Sequence, residues 1–225
     1  MPKNKEKPAE NKLNSETSLG EGVHSQLKDA IREGRYSPGE RIREAEVADW
    51  LNVSRTPVRE AFRRLQSDGL IVLTPWRGAQ VAELDREQVI ELYAMRKVLE
   101  GTAAGFAALH ATDAEIDSLI ELLRQDEIAK GNPTERANLN RLFHETLYAA
   151  ARNRYLLKAS NALADSLALL RSTTYEVPGR PDTARQEHLL IVNAIKDGDS
   201  DKADLLARGH IENATQARLA LLFGE

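Results

Sequence analysis

VADWLNVSRTPVREAFRRLQSDGLIVL, Val47–Leu73, is the stretch whose reading decides the fold. It opens as a short helix with Val47, Trp50 and Leu51 on one side. Asn52-Val53 breaks that helix, and Asn suits a left-handed turn position. Ser54 then stands where an N-cap belongs, and Pro57 falls in the first turn, where its missing N–H does no harm. In the second helix Val58, Phe62 and Leu65 recur at i, i+4 and i+7, so that side must face a core. The other side carries Ser54, Arg55, Thr56, Arg59 and Arg63. Hydroxyls and guanidinium groups at the start of a helix are the chemistry that meets phosphates and base edges. Asp68-Gly69 ends the helix, Leu70–Leu73 reads as a strand, and Pro75-Trp76-Arg77-Gly78 is a basic turn before Ala79-Gln80-Val81 pairs back. Helix, turn, helix and hairpin in this order make a winged helix.

VSRTPVREAFRRL, DGLI and PWRGAQV resemble the DNA-binding half of GntR-family bacterial transcriptional regulators. The resemblance implies double-stranded operator DNA as a partner, with Ser54, Arg55, Thr56, Arg59, Arg63, Arg77 and Gly78 in contact with it. Relatives often carry a basic residue at the start of the first helix of the motif. Here that start reads Glu44-Ala45-Glu46, and Arg43 just before it is the candidate for the role.

The totals bound the rest. A chain of 225 residues that is 41% apolar holds one large or two modest cores. With no cysteine, disulfides, thiolate metal sites and Cys nucleophiles are excluded. No apolar run approaches a membrane span and no secretion signal opens the chain, so a cytoplasmic protein without a membrane partner is expected. The net charge of −4 argues against a DNA binder until it is divided. Residues 1–84 carry 14 Lys and Arg against 13 Asp and Glu, and residues 85–225 carry 17 against 22. A cationic patch on an acidic protein suits specific binding better than general adhesion to DNA.

In chain order, residues 1–18 read as a disordered tail, for want of apolar side chains. A winged helix-turn-helix domain is expected over 19–84. Its first helix, Gly22–Gly34, carries Val23, Leu27, Ala30 and Ile31 at helical spacing, and Glu44 is placed to cap a helix beginning near Ala45. Over 85–225 the pattern predicts six antiparallel helices: Arg86–Leu109, Ala114–Ala129, Thr134–Ala151, Tyr155–Thr174, Thr183–Lys196 capped by Asp182, and Ser200–Leu222. The fold class is therefore mainly α, an N-terminal winged helix followed by an all-α six-helix bundle.

Three of the five histidines stand where these helices should be apolar. His144 shares a face with Leu147 and Ala151, with Asn140 one turn earlier; His188 begins the stripe Ile191, Val192, Ile195; His210 lies between Leu206 and Ala214. A buried imidazole needs a hydrogen bond or a metal. Imidazole nitrogens and an amide oxygen suit a divalent ion such as zinc, nickel or manganese. The alternative is a metal-free polar pocket.

NRLFHETLYAAARN, EHLLIVNAIKDGD and the last helix with His210 resemble the helical effector-binding domain called FCD, found in one GntR subfamily. In many members an Asp and three His bind a metal that holds a carboxylate effector. The matching positions are Asn140, His144, His188 and His210, so one anionic ligand is replaced by a neutral amide. Arg96, in Arg96-Lys97-Val98-Leu99-Glu100, resembles the family's Arg-x-x-x-Glu and could grip a carboxylate by two parallel hydrogen bonds. An ion pair with Glu100 or a neighbouring helix is the alternative. Arg171 is a weaker candidate effector contact. The expected function is a ligand-responsive regulator, a repressor and not an enzyme, sensing a small carboxylate and paired as a homodimer along the Arg86–Leu109 helix. A metal-dependent hydrolase fused to a DNA-binding module is the rival, and an architectural DNA binder the third reading. No HExxH, phosphate loop or nucleophile motif supports the first rival.

Overall fold

The computed structural model describes residues 9–74, 78–170 and 173–224, with side chains from residue 19 onward. These residues form two compact units. The first runs to Glu83 and includes a short segment that starts at Asp165; the second takes Leu84–Ala164 and the remainder. The expected boundary at residue 84 differs by one residue, and the segment from Asp165 was not expected in the first unit.

The first unit is built from α1 (Ala9–Arg32), β1 (Arg41–Ile42), α2 (Glu44–Leu51), α3 (Arg55–Ser67), β2 (Ile71–Thr74) and β3 (Gly78–Val81). Helix α1 starts well before the expected Gly22, so residues 9–18 of the expected tail are helical backbone; residues 1–8 lie outside the described residues. Val23, Leu27, Ala30 and Ile31 of α1 are buried, as are Val58, Ala61, Phe62 and Leu65 of α3, and the two helices pack on these faces. Asn52 takes the left-handed conformation, φ 52° and ψ 47°, that turns α2 into α3. The sheet has the order β1-β3-β2, all antiparallel, with Ile71 opposite Val81 and Thr74 opposite Gly78. Glu44 is not the cap of α2. The N-cap is Arg43, whose extended φ of −98° precedes a helix that already includes Glu44.

The second unit holds α4 (Arg86–His110), α5 (Asp113–Ile128), α6 (Pro133–Ala150), α7 (Arg154–Leu167), α8 (Arg180–Lys196) and α9 (Ser200–Phe223). Side-chain caps fix four of these starts. Asp85 with Gln88 and Thr112 with Glu115 form capping boxes, and Asn132 and Asp199 accept backbone N–H groups in the first turns of α6 and α9. Helix α7 stops short of the expected Thr174. Its end tightens through Ala168 N–H to Asp165 and Leu169 N–H to Ser166, and a 3-10 turn follows at Thr174–Glu176. Helix α8 begins three residues earlier than expected. Gly179, at φ 80°, is its N-cap, and Asp182 lies in the first turn.

Leu119, Leu123, Phe143, Leu147, Ile191 and Ile195 form the centre of this unit with Ala103, Ala107, Ala203 and Ala207. Small residues let α4 and α9 lie close. A Cβ at Gly105 would meet the Ser200 backbone oxygen at 3.3 Å. A buried ion pair ties α5 to α6: Arg136 Nε and Nη2 donate to the two Asp126 oxygens at 2.9 and 2.8 Å. Its Nη1 donates to Asp182 of α8 at 2.9 Å.

Removing one partner of such a pair strands a buried charge. Arg136→Ala is therefore expected to cost about 3–5 kcal/mol in urea unfolding, and Arg136→Met combined with Asp126→Leu to recover most of it. An unchanged midpoint for Arg136→Ala would show that the pair contributes nothing.

Candidate functional site

The first candidate surface is the outer side of α3. Arg43, Ser54, Arg55, Thr56, Arg59 and Arg63 are all exposed, while Val58, Phe62 and Leu65 face inward. Burial thus sorts the helix into an apolar side and a cationic side, as the spacing predicts. Ser54 occupies the N-cap but makes no capping hydrogen bond, contrary to its expected capping role. Arg59 Nε donates to Glu44 Oε2 at 2.8 Å, and Arg43 Nη1 to Glu46 Oε1 at 3.0 Å. The acidic start of α2 therefore faces these two arginines. Gly78 is exposed at the head of β3 with φ 82°, a conformation that favours glycine. Arg77 lies outside the described residues.

The second is a cluster of imidazoles inside the helical unit. His144 from α6, His188 from α8 and His210 from α9 are all buried, and one ring nitrogen of each lies within 4.8 Å of the others. His188 Nε2 and His210 Nε2 are 3.2 Å apart. Phe143 stacks on His188 with ring centroids 4.0 Å apart. His144 Nε2 is buried with no hydrogen-bond partner.

Two carboxylates face the opposite ring nitrogens. His210 Nδ1 lies 2.6 Å from Glu187 Oε2. His144 Nδ1 lies 2.7 Å from Glu100 Oε2, a charge contact off the axis of an aligned hydrogen bond. Each carboxylate is held by an arginine: Arg96 Nε donates to Glu100 Oε1 at 2.5 Å, and Arg180 Nη1 to Glu187 Oε2 at 2.8 Å. Arg96 thus makes the ion pair with Glu100 that the sequence left open as its alternative role. Asn140 does not stand alone either, since its Oδ1 accepts a hydrogen bond from Tyr175 Oη at 3.0 Å. Arg171 lies outside the described residues. Glu187, Arg180 and Tyr175 were missed in the sequence. The signal for Glu187 was its place directly before His188; Tyr175 and Arg180, either side of a Pro-Gly turn, offered none.

Burial is the leading influence on the titrating groups. It lowers His210 to about 4 against the opposing pull of Glu187, and lowers His188 well below its ordinary value. For Glu100, burial acts upward, but Arg96 and then His144 outweigh it and hold the carboxyl far below the usual range. A neutral ring, which burial favours at His188 and His210, is the state a divalent cation requires of an imidazole ligand. The 3.2 Å between two Nε2 atoms is also near the edge of about 3.3 Å between nitrogens bound tetrahedrally to zinc.

Residues 91–213 match the FCD domain family, and residues 19–81 match the bacterial regulatory proteins of the gntR family. The uncharacterized HTH-type transcriptional regulator YdhC of Bacillus subtilis (strain 168) is 32% identical, over 90% of this chain and 92% of its own. A probable D-xylose utilization operon transcriptional repressor of Paenarthrobacter nicotinovorans is 34% identical, over 84% of this chain and 85% of its own. Among solved structures, E. coli McbR/YncC superposes with a TM-score of 0.74 at 27% identity, covering 92% of this chain and 97% of that one. The chain belongs to the GntR family, in the group that carries an FCD domain, and is a DNA-binding transcriptional regulator of that family.

The depressed imidazoles carry a stability consequence. Below the ordinary 6.5 the unfolded chain takes up protons that folded His188 and His210 refuse, so stability rises with pH in that window. Metal-free protein is expected to lose stability as pH falls from 6.5 to 4.5, above the range where carboxyls dominate. His188→Gln combined with His210→Gln should flatten the slope of the urea midpoint against pH; an identical slope would place the cause elsewhere.

Proposed function

We propose that this regulator is a repressor that binds operator DNA as a homodimer and responds to a small carboxylate held at a divalent cation by His144, His188 and His210. The observation that carries the sensor reading is the convergence of three buried imidazoles from separate helices, with His144 Nε2 unpartnered. A buried donor or acceptor without a partner is costly, and a bound cation removes that cost. Zinc, nickel and manganese all accept nitrogen ligands, and geometry and supply choose among them. When bound, the cation supplies a Lewis-acid contact for a carboxylate. The protein's part is to hold the three rings in place.

The division of labour is residues 19–84 for DNA and 85–225 for sensing and pairing. Ser54, Arg55, Thr56, Arg59 and Arg63 meet phosphates and base edges, and Arg43, Arg77 and Gly78 are further DNA contacts. Pairing doubles a short recognition site, and Ile90, Met95 and Val98 stand exposed along α4 as the candidate contact. Repression is supported by the relative in Paenarthrobacter nicotinovorans, a probable operon repressor. No helix among the described residues is long and apolar enough to cross a membrane. The DNA-binding role supports a cytoplasmic location. The centre binds rather than catalyses, and no turnover is expected with ester or amide substrates.

On a confirmed operator at fixed salt, Arg59→Ala is expected to lose about 1–3 kcal/mol of affinity with helical content unchanged. Full retained affinity would remove α3 from the DNA interface. For the sensor, His144→Ala and His210→Ala should each lower the metal found by elemental analysis after reconstitution, and blunt the response to carboxylates. DNA binding by the metal-free protein should persist in both. A wild-type protein that takes up no zinc, nickel or manganese would leave the three rings as lining of a metal-free pocket.

A further inference from the structure

The family's usual anionic ligand is replaced here by Asn140, and the structure gives that side chain another task. Its Oδ1 accepts from Tyr175 Oη at 3.0 Å, and Tyr175 is buried in the 3-10 turn that packs against α6, α8 and α9. Negative charge nevertheless reaches the centre. Glu100, 1% exposed, stands 2.7 Å from His144 Nδ1, and Glu187 stands 2.6 Å from His210 Nδ1. The two arrangements repeat one another. Arg96 holds Glu100, which faces His144; Arg180 holds Glu187, which faces His210. Asn213 Nδ2 adds a hydrogen bond to the second oxygen of Glu187 at 2.8 Å.

At His210 a carboxylate hydrogen-bonded to Nδ1 fixes the proton there and turns the lone pair of Nε2 toward the other rings, and at His144 the carboxylate stands at the same ring nitrogen. The same contact raises the basicity of the ring as a ligand. Phe143 orients the His188 ring by stacking on it, with centroids 4.0 Å apart.

We infer that Glu100 and Glu187 are positioning residues that set the ring orientation for a cation at the three imidazoles, and that Asn140 serves Tyr175 rather than the cation. This rests on the metal reading given above, and its failure can be told apart from the failure of that reading.

The test uses the full chain, stripped with a chelator and titrated with zinc against a chromophoric competitor. Glu100→Gln and Glu187→Gln are each expected to weaken zinc binding about 10–100-fold, whereas Asn140→Ala should change it less than about 3-fold. Tyr175→Phe should cause no loss. With cobalt(II) in place of zinc, the visible ligand-field bands of Asn140→Ala should match those of the wild type, which a merely structural role for Glu100 and Glu187 would not predict together with their affinity losses. Circular dichroism checks that each variant is folded. If Glu100→Gln fails to fold, the less buried Glu187 decides through Glu187→Gln alone. Wild-type zinc affinity in folded Glu187→Gln, or a tenfold loss or shifted cobalt bands in Asn140→Ala, overturns the inference while leaving the metal reading intact. A wild-type protein that binds neither zinc nor cobalt overturns both.

Discussion

A carboxylate sits in the middle of α4 with almost no access to water, and much of the helical unit answers to it. Glu100 is tolerable there only with partners at its oxygens. Arg96, one turn earlier on the same helix, supplies the counter-charge, and His144 from α6 faces the second oxygen. Glu187 is held comparably: Arg180 and His210 both reach its Oε2 and Asn213 its Oε1, which ties the start of α8 to α9. Buried charge pairs of this sort contribute little net stability compared with apolar substitutes. Their effect is to make one arrangement of the helices far better than its neighbours, because a slipped register would leave a charge unpaired.

The DNA-binding unit is organised on the opposite principle. Its working groups are exposed, and its specification lies in backbone turns and a small apolar core. Asn52 takes the left-handed turn, α3 buries one side on α1, and the cationic side is left to solvent. Glu44 and Glu46 temper that side by pairing with Arg59 and Arg43. Exposed pairs of this kind are weak, so DNA phosphates can displace them at small cost. A protein of net charge −4 thereby keeps a local cationic face without general attraction to nucleic acid.

The histidine cluster shows how polar groups inside a helical unit are given partners. An amide at position 140 cannot be left idle where its neighbours are buried, and Tyr175 donates to its oxygen. Behind the rings, Arg96 and Arg180 pair with the carboxylates that face His144 and His210.

What the sequence by itself determined is whatever depends on neighbours along the chain. The helical periodicity of Val58, Phe62 and Leu65, the turn at Asn52 and the apolar stripes and breakers of the later helices are local, and the winged helix and most of the bundle were legible from them. The three histidines were legible as well, because an imidazole in an apolar stripe is conspicuous. The caps of α2 and α8 were misread, since Glu44 and Asp182 have the chemistry of caps but are engaged by arginines distant in sequence, Arg59 and Arg136. Only the tertiary structure decided which groups stand behind the imidazoles. Glu187 beside His210, Glu100 beside His144 and Tyr175 on Asn140 are contacts across 23, 44 and 35 positions. Charged residues are common on helices, and no periodicity distinguishes the few that turn inward. The packing of one helix on another selects them, by burying them where only a partner of opposite charge makes burial bearable.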